Sequence, residues 1–204
     1  MEQVIWRFMS RWKFADLLRH QALWFSRLDQ MEDEFEGHLP KANLRPSYEA
    51  LSEAVGPFLA HAHGFREVPG QALKWRVDRE RPRNLVNCWY IGQEPSQFMW
   101  TNYAEERGDV AIRSVVRQVG EALNHPGATH AVFAWPISYI DRDRQEVTMK
   151  HFLGSFFVKG RSYEGEQELR FFLHLDQIAN TGLHVAVTLP EVVNPFETLL
   201  SRNY

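Results

Sequence analysis

The residues best suited to chemistry lie in one short run, Tyr163–Arg170. If this run is a strand, its side chains alternate between two faces, so that Leu169 and Phe171 point into the core. Closely spaced carboxylates repel one another and are typical of catalytic sites, although a solvated edge strand carries the same pattern. We expect Glu164 to be solvated and Glu166 and Glu168 to be the catalytic candidates. The charged residues on the shared face are Glu164, Glu166, Glu168 and Arg170.

Two further groups of side chains could serve a site. Asp33 and Glu36 lie in an acidic turn after the second predicted strand and could offer oxygen ligands to a divalent ion, but their spacing matches no calcium loop. Trp100 and Tyr103 lie one turn apart on a predicted helix and so share a face. They could stack on a base or a nicotinamide ring, with core packing as the alternative for Trp100.

Several common templates are absent from the sequence. Its nine histidines form no H-E-x-x-H motif and no Cys/His ligand set, so no metal site is predicted. Cys88 lies in an apolar strand, which indicates a buried thiol. No glycine-rich phosphate loop and no G-x-S-x-G motif occurs, which excludes the usual nucleotide-binding and hydrolase patterns.

The elements that position these residues follow from hydrophobic periodicity and turn signals. After residue 85 strands outnumber helices, which predicts an α+β fold: a mixed, mainly antiparallel sheet core with flanking helices. We expect one domain over 1–204, with 66–84 as a polar, basic loop or insertion. Strands are predicted over 4–8, 22–26, 85–90, 110–112, 129–139, 168–174 and 184–189, with helices starting near Ser10, Pro95 and Ser114.

Composition narrows the class of protein. The chain has 204 residues, a formal net charge of −3 and 44% hydrophobic residues, so it can bury a core and has no global attraction for nucleic acid or an anionic membrane. One cysteine and the lack of a signal-peptide pattern favour a cytoplasmic location. No apolar run reaches the roughly 20 residues of a membrane span, so no membrane partner is expected.

Four blocks of the sequence, read in order, resemble a bacterial and phage family catalogued as a domain of unknown function. The resemblance runs from about Trp6 to Phe172 and brings no activity with it. Glu34 departs from the family's usual Pro, Pro95 from its Glu and Tyr90 from its His. The blocks are Leu23–Arg27 with Asp33–Gly37, then Val86–Trp89, then Ser96 with Met99, Trp100 and Tyr103, and lastly Lys159–Tyr163 with Glu166, Glu168 and Arg170.

A second resemblance concerns mechanism. Arg7, Ser26 and the Glu166-Gln167-Glu168 triplet are similar to the ordered Arg, Ser and Glu-x-Glu positions of ADP-ribosyltransferases. The resemblance implies that Arg7 holds the phosphates or ribose of NAD and that Ser26 orients the nicotinamide ribose. It further implies that Glu168 stabilises an oxocarbenium-like transition state and that Glu166 selects or deprotonates the acceptor. Tyr103 or Trp100 would stack on nicotinamide.

Three functions therefore stay open. The first is an NAD-consuming transferase or glycohydrolase, such as a toxin or phage-defence effector, acting on a small-molecule, protein or nucleic-acid acceptor. The second is a nuclease in which Asp33, Glu36, Glu166 and Glu168 hold Mg²⁺ while Lys159 and Arg170 face phosphate. The third is a non-catalytic interaction or sensor module, in which the same acids and cations form a structural ion network.

Overall fold

The computed structural model describes residues 2–44, 69–104, 108–147, 152–187 and 199–200. Over these ranges the chain has the predicted α+β fold, and none of the helices there is long and apolar enough to cross a membrane. The helices are α1 Arg11–His20, α2 Pro69–Glu80, α3 Gln97–Tyr103 and α4 Val116–Leu123. The strands are β1 Val4–Met9, β2 Ala22–Arg27, β3 Asn84–Ile91, β4 Val110–Val115, β5 Phe133–Pro136, β6 Ser138–Ile140, β7 Val158–Gly160, β8 Glu168–His174, β9 Gly182–Ala186 and β10 Leu199–Leu200.

Eight of these strands form one antiparallel sheet, and β3 lies at its centre. On one side β3 pairs with β8 along its length, from Asn84 to Tyr90. On the other side it pairs with two different strands, with β2 at residues 85–86 and with β1 at residues 90–91. Neither β1 nor β2 pairs with residues 87–89, so the sheet splits there. The remaining strands, β6 and β7, form a separate parallel pair.

The two faces of the sheet bury different material. One face holds the main hydrophobic core, in which Phe25, Trp89 and Phe171 pack with residues of α1 and α4. The other face holds two smaller clusters, one around Trp6 and one around Phe172. Burying each large apolar side chain contributes about 1.5–3 kcal/mol to the stability of the fold. The main core therefore stabilises the sheet, and the second face can carry polar groups.

The charged run of Tyr163–Arg170 is not one strand, which corrects the sequence prediction. Residues Arg161–Glu166 form a 3₁₀ helix, and Gln167 takes a left-handed conformation with φ of 38° that ends it. The alternation of side chains begins only at Glu168, so Glu164 and Glu166 do not share a strand face with it. Strand β8 is central and buried, not a solvated edge. The prediction that Leu169 and Phe171 point into the core is confirmed.

The segment 66–84 is also not a loop. Residues 69–80 form α2 and 81–83 a 3₁₀ turn, while 66–68 lie outside the described residues. Pro69 suits the first position of a helix, because its missing N–H has no partner there in any case. Lys74 and Asp78 pair one turn apart, and Val77 is fully buried. Most residues of this helix are polar or charged, so its short apolar side gave no clear helical pattern in the sequence.

Candidate functional site

A pocket of about 190 Å³ lies at the split in the sheet. Residues of β1, β2 and the central part of β3 line it, together with residues of α1 and α3. Its apolar wall includes Trp6, Phe8, Trp89 and Met99. The split thus brings together residues that are distant in sequence, because β1 and β2 meet β3 at opposite ends. Six of the residues selected from sequence line this pocket: Arg7, Ser26, Tyr103, Lys159, Glu166 and Glu168.

Four other selected residues do not line the pocket. Trp100 packs edge-on against Phe8, with ring centroids 4.9 Å apart, so it serves the small core cluster. Asp33 accepts a hydrogen bond from the backbone N–H of Phe35 at 2.9 Å and fixes its own turn. Glu36 and Arg170 are buried beside the pocket, in an ion network with three of its lining residues.

Lys159 lies at the centre of this network. Its ammonium Nζ is 2.7 Å from Glu166 Oε2, 2.8 Å from Glu168 Oε2 and 3.5 Å from Glu36 Oε2. All four side chains are at most 8% exposed. Tyr103 closes the open side of the network, since its O–H donates to Glu166 Oε1 at 2.5 Å.

Arg170 forms the second half of the network and is completely buried. Its Nε donates to Glu168 Oε1 at 2.8 Å, and its Nη1 donates to Glu36 Oε1 at 2.9 Å and to the carbonyl of Phe156 at 2.6 Å. Charge-assisted hydrogen bonds of this kind are about twice as strong as neutral ones. The three carboxylates and two cations therefore hold one another in fixed positions, with a net charge of about −1 from their formal charges.

Burial and charge act in opposite directions on these groups. Burial alone would raise the pKa of Glu168, but the charges of Arg170 and Lys159 outweigh it and lower that pKa to about 2. Burial alone would lower the pKa of Lys159, but Glu168, Glu36 and Glu166 outweigh it and raise that pKa well above its usual value. Burial raises the pKa of Tyr103, and its hydrogen bond to Glu166 raises it further. Glu168 is thus ionised and Lys159 and Tyr103 are protonated at neutral pH.

Glu168 keeps some capacity for a ligand. A carboxylate offers about four acceptor positions. Arg170, Lys159 and the thiol of Cys88 occupy three of them. The carboxylate can accept one more hydrogen bond from a group in the pocket that it lines.

Arg7 differs from Lys159, which also lines the pocket, because no carboxylate of the described residues pairs with it. Its Nη1 atom is buried and has no hydrogen-bond partner among the described residues. Burial lowers the pKa of Arg7 to about 10, which means that the fold solvates this charge less well than water does. Arg7 as a whole is only partly buried, but a buried guanidinium nitrogen without a partner is costly unless something binds it. Arg7 is therefore the group of the pocket best suited to hold an anion from solution.

The carboxylates do not form a metal-binding set of the kind the nuclease alternative needs. Glu36, Glu166 and Glu168 surround the ammonium of Lys159, which takes the position where a cation would bind. Asp33 does not join them. Within the described ranges, their oxygen atoms are not among the groups of side chains close enough together to hold one metal ion.

Sequence reasoning missed several residues of the site. Lys13 of α1 and Cys88 of β3 line the pocket. The hydroxyl of Tyr139 accepts a hydrogen bond from the backbone N–H of Glu168 at 2.8 Å, and the ring of Tyr163 lies 5.3 Å from the ammonium of Lys159. Spacing along the chain carries no signal for these contacts, because they depend on the register of strands. The helix cap of Ser10 is the one local signal that could have placed Lys13 near β1.

No family model, curated protein or solved structure matches this chain. The two resemblances read from the sequence therefore remain expectations, and the pocket itself offers the features that bear on function.

Proposed function

We propose that the protein is an NAD-consuming enzyme of the ADP-ribosyltransferase or glycohydrolase type, with its site in the pocket at the split of the sheet. One observation carries the proposal. Arg7, whose buried Nη1 has no partner among the described residues, lines the same small pocket as Ser26, Tyr103 and the ionised Glu168. These four residues come from four separate elements, and three of them, Arg7, Ser26 and Glu168, follow the order of the resemblance. An anion-binding group, an aromatic ring and a fixed negative charge are what cleavage of NAD requires.

The size of the pocket supports a specific part of NAD as the bound portion. A volume of about 190 Å³ is below the roughly 300–1,000 Å³ of pockets that enclose drug-sized ligands. It has room for one ring and its sugar, so the nicotinamide ribose would enter and the adenine half would lie outside. Arg7 would bind a phosphate by charge-assisted hydrogen bonds. Tyr103, which is 43% exposed, would lie along the nicotinamide ring.

The reaction breaks the bond between nicotinamide and C1′ of the ribose. The bonding electrons leave with nicotinamide, and positive charge develops on C1′ and the ring oxygen of the sugar. Glu168 would stabilise that charge and accept a hydrogen bond from a ribose hydroxyl at its remaining acceptor position. Ser26 would orient the sugar. Water or an acceptor group then attacks C1′ and releases its proton to the solvent.

Glu166 is better suited to positioning than to accepting that proton. Its Oε1 already accepts from Tyr103 and its Oε2 from Lys159. Both of its oxygen atoms are therefore already engaged in hydrogen bonds. In this proposal Glu166 holds the Tyr103 ring against the pocket. The molecule that accepts the ADP-ribose is then selected by groups outside the network. Depletion of NAD would suit a toxin or phage-defence effector.

The direct test is release of nicotinamide from NAD, measured by chromatography with and without candidate acceptors. We expect Glu168→Gln to lower the rate by about 100-fold or more, the usual effect of removing a group that stabilises the transition state. We expect Arg7→Gln to weaken NAD binding by about 10-fold or more, since a hydrogen bond to a charged group contributes about 1.5–3 kcal/mol. Rates are normalised to the folded fraction, because Glu168 also supports the fold.

Two exposed residues provide matched controls. Arg144, whose side chain is 85% exposed, and Glu121, which is 62% exposed, can each be changed to Gln without touching the pocket. Both variants should behave as the unchanged protein. NAD that stays intact with every acceptor tried would refute the proposal. Binding of NAD without cleavage would instead favour the interaction or sensor module, for which the buried ion network is the supporting observation.

A further inference from the structure

A second cluster of reactive side chains lies outside the pocket, where α1 meets the edge strand β9. Asp16 bridges two histidines: its Oδ1 is 3.0 Å from His20 Nδ1 and its Oδ2 is 2.9 Å from His184 Nε2. The two imidazole rings stack with centroids 4.3 Å apart. Over the described residues, this is the one group of three or more Asp, Glu, His or Cys side chains whose ligand atoms all lie within 4.8 Å of one another.

The fold brings these residues together by two simple devices. Asp16 and His20 are four residues apart on α1 and so lie on the same face of the helix. Gln21, in a left-handed conformation, then turns the chain directly into β2. Strand β2 pairs with β9 in a register that sets Trp24 opposite His184. Helix α1 and His184 are thereby held side by side, although His20 and His184 lie 164 positions apart in the sequence.

We propose that Asp16, His20 and His184 form a zinc-binding site. Neutral imidazole nitrogens and a carboxylate oxygen are ligands that Zn²⁺ prefers, and three protein ligands leave a fourth position for water or another ligand. One ligand atom from each of the three side chains lies within 4.8 Å of the other two, so small side-chain rotations would bring them to the bond lengths of about 2.0–2.1 Å that Zn²⁺ requires. The side chains are 33–44% exposed, so an ion can enter without opening the fold.

The same contacts admit a simpler explanation, which is a hydrogen-bonded link between the helix and the sheet edge. In that case a proton lies between each histidine nitrogen and Asp16. Zinc would replace both protons and bind all three side chains at once. The two explanations differ in one measurable respect: only a metal site makes the stability of the fold depend on the concentration of zinc.

A zinc ion bound at this site would cross-link α1 and β9. In the described part of the chain β9 pairs with β2 alone, so it is an edge strand. A metal bond from His184 to α1 would hold this edge in place. Sequence reasoning predicted no metal site, since Asp16 and His20 match no metal motif on their own and the third ligand lies far along the chain.

The test is thermal unfolding of the full chain across a zinc series after removal of bound metals by a chelator. We expect zinc at about 100 times its Kd to raise Tm by about 5–10 °C in the unchanged protein. In His20→Gln, His184→Gln and Asp16→Asn, binding should weaken by at least about 10-fold, since even changes outside the ligand set cost that much. Calorimetry should give one zinc per chain, and Co²⁺ should give the visible absorption of tetrahedral coordination.

His130→Gln is the matched control, because His130 lies after α4 and is not in the cluster. It should keep the full response to zinc. A shift of equal size in the cluster variants and the control would show adventitious binding elsewhere and overturn the proposal. No shift in the unchanged protein, together with a lower Tm of His184→Gln in the absence of metal, would also overturn it and leave the hydrogen-bonded link.

Discussion

Arg7, which lines the pocket, and Arg170, which is buried beside it, have opposite surroundings. Arg170 is fully buried and has two carboxylates and a carbonyl as partners. Arg7 has a buried nitrogen and, among the described residues, no carboxylate paired with it. Its pKa is lowered to about 10, while that of Arg170 is raised well above its usual value. A cation whose charge is fully compensated supports the fold, whereas an uncompensated one beside a pocket is available to a ligand.

The contrast between Arg7 and Arg170 does not hold for every guanidinium nitrogen. Nη2 of Arg170 also has no hydrogen-bond partner among the described residues. The guanidinium as a whole still makes three hydrogen bonds through its other nitrogens. The relevant difference between the two arginines is therefore the presence of Glu36 and Glu168 beside one of them, and it can be tested by removing each charge in turn.

The largest effect is expected from removing the compensated charge. Arg170→Met leaves Glu36 and Glu168 buried without their main partner, and breaking a buried ion pair in this way costs about 3–5 kcal/mol. Urea unfolding at neutral pH measures the loss. Arg144→Met removes a highly exposed guanidinium and should change stability by less than about 0.5 kcal/mol. Equal stability of the two variants would mean that the network does not support the fold.

An intermediate effect is expected from pH. The pKa of Glu168 is about 2 in the folded protein and about 4.5 as the ordinary value, so the unfolded chain takes up a proton first as the pH falls. The stability from Glu168 is complete above about pH 4.5 and is lost as the pH approaches 2. Urea unfolding across this window should show a steep decline that is shallower in Glu168→Gln. Glu121→Gln, which alters an exposed carboxylate, should keep the steep decline, and a slope unaffected by Glu168→Gln would contradict the ion network.

Much of the fold could be predicted because its signals are local. The N-cap of α1 at Ser10 and the apolar run of β1 each depend on only a few neighbouring residues. The order Arg7, Ser26, Glu168 also indicated the lining of one pocket. That grouping came from a resemblance and not from geometry, since no spacing in the sequence places β1 beside β2 on β3, and the roles of these residues stay a prediction.

The rest could not be predicted because it depends on long-range register or on backbone conformation. The left-handed turn at Gln167 ends the 3₁₀ helix and shifts the start of β8, which no alternation of charges reveals. Lys159 meets Glu36 although the two lie 123 positions apart in the sequence, and only the assembled fold brings the ammonium among the carboxylates. The buried side of α2 consists of too few residues to stand out from its charges.

The smallest change in stability is expected from removing the uncompensated charge of Arg7. Any change should be a gain in stability, whereas removing the charge of Arg170 should cause a loss. Arg7→Met replaces a poorly solvated cation by an apolar side chain of similar length, so stability should stay constant or rise by about 1 kcal/mol. Urea unfolding at neutral pH, beside Arg170→Met, measures the difference between the two arginines. Inorganic phosphate or NAD should raise Tm in the unchanged protein and not in Arg7→Met, because the binding of an anion gives the buried Nη1 its missing partner. A loss as large as that of Arg170→Met would make Arg7 a structural residue and remove the physical reason for an anion in this pocket.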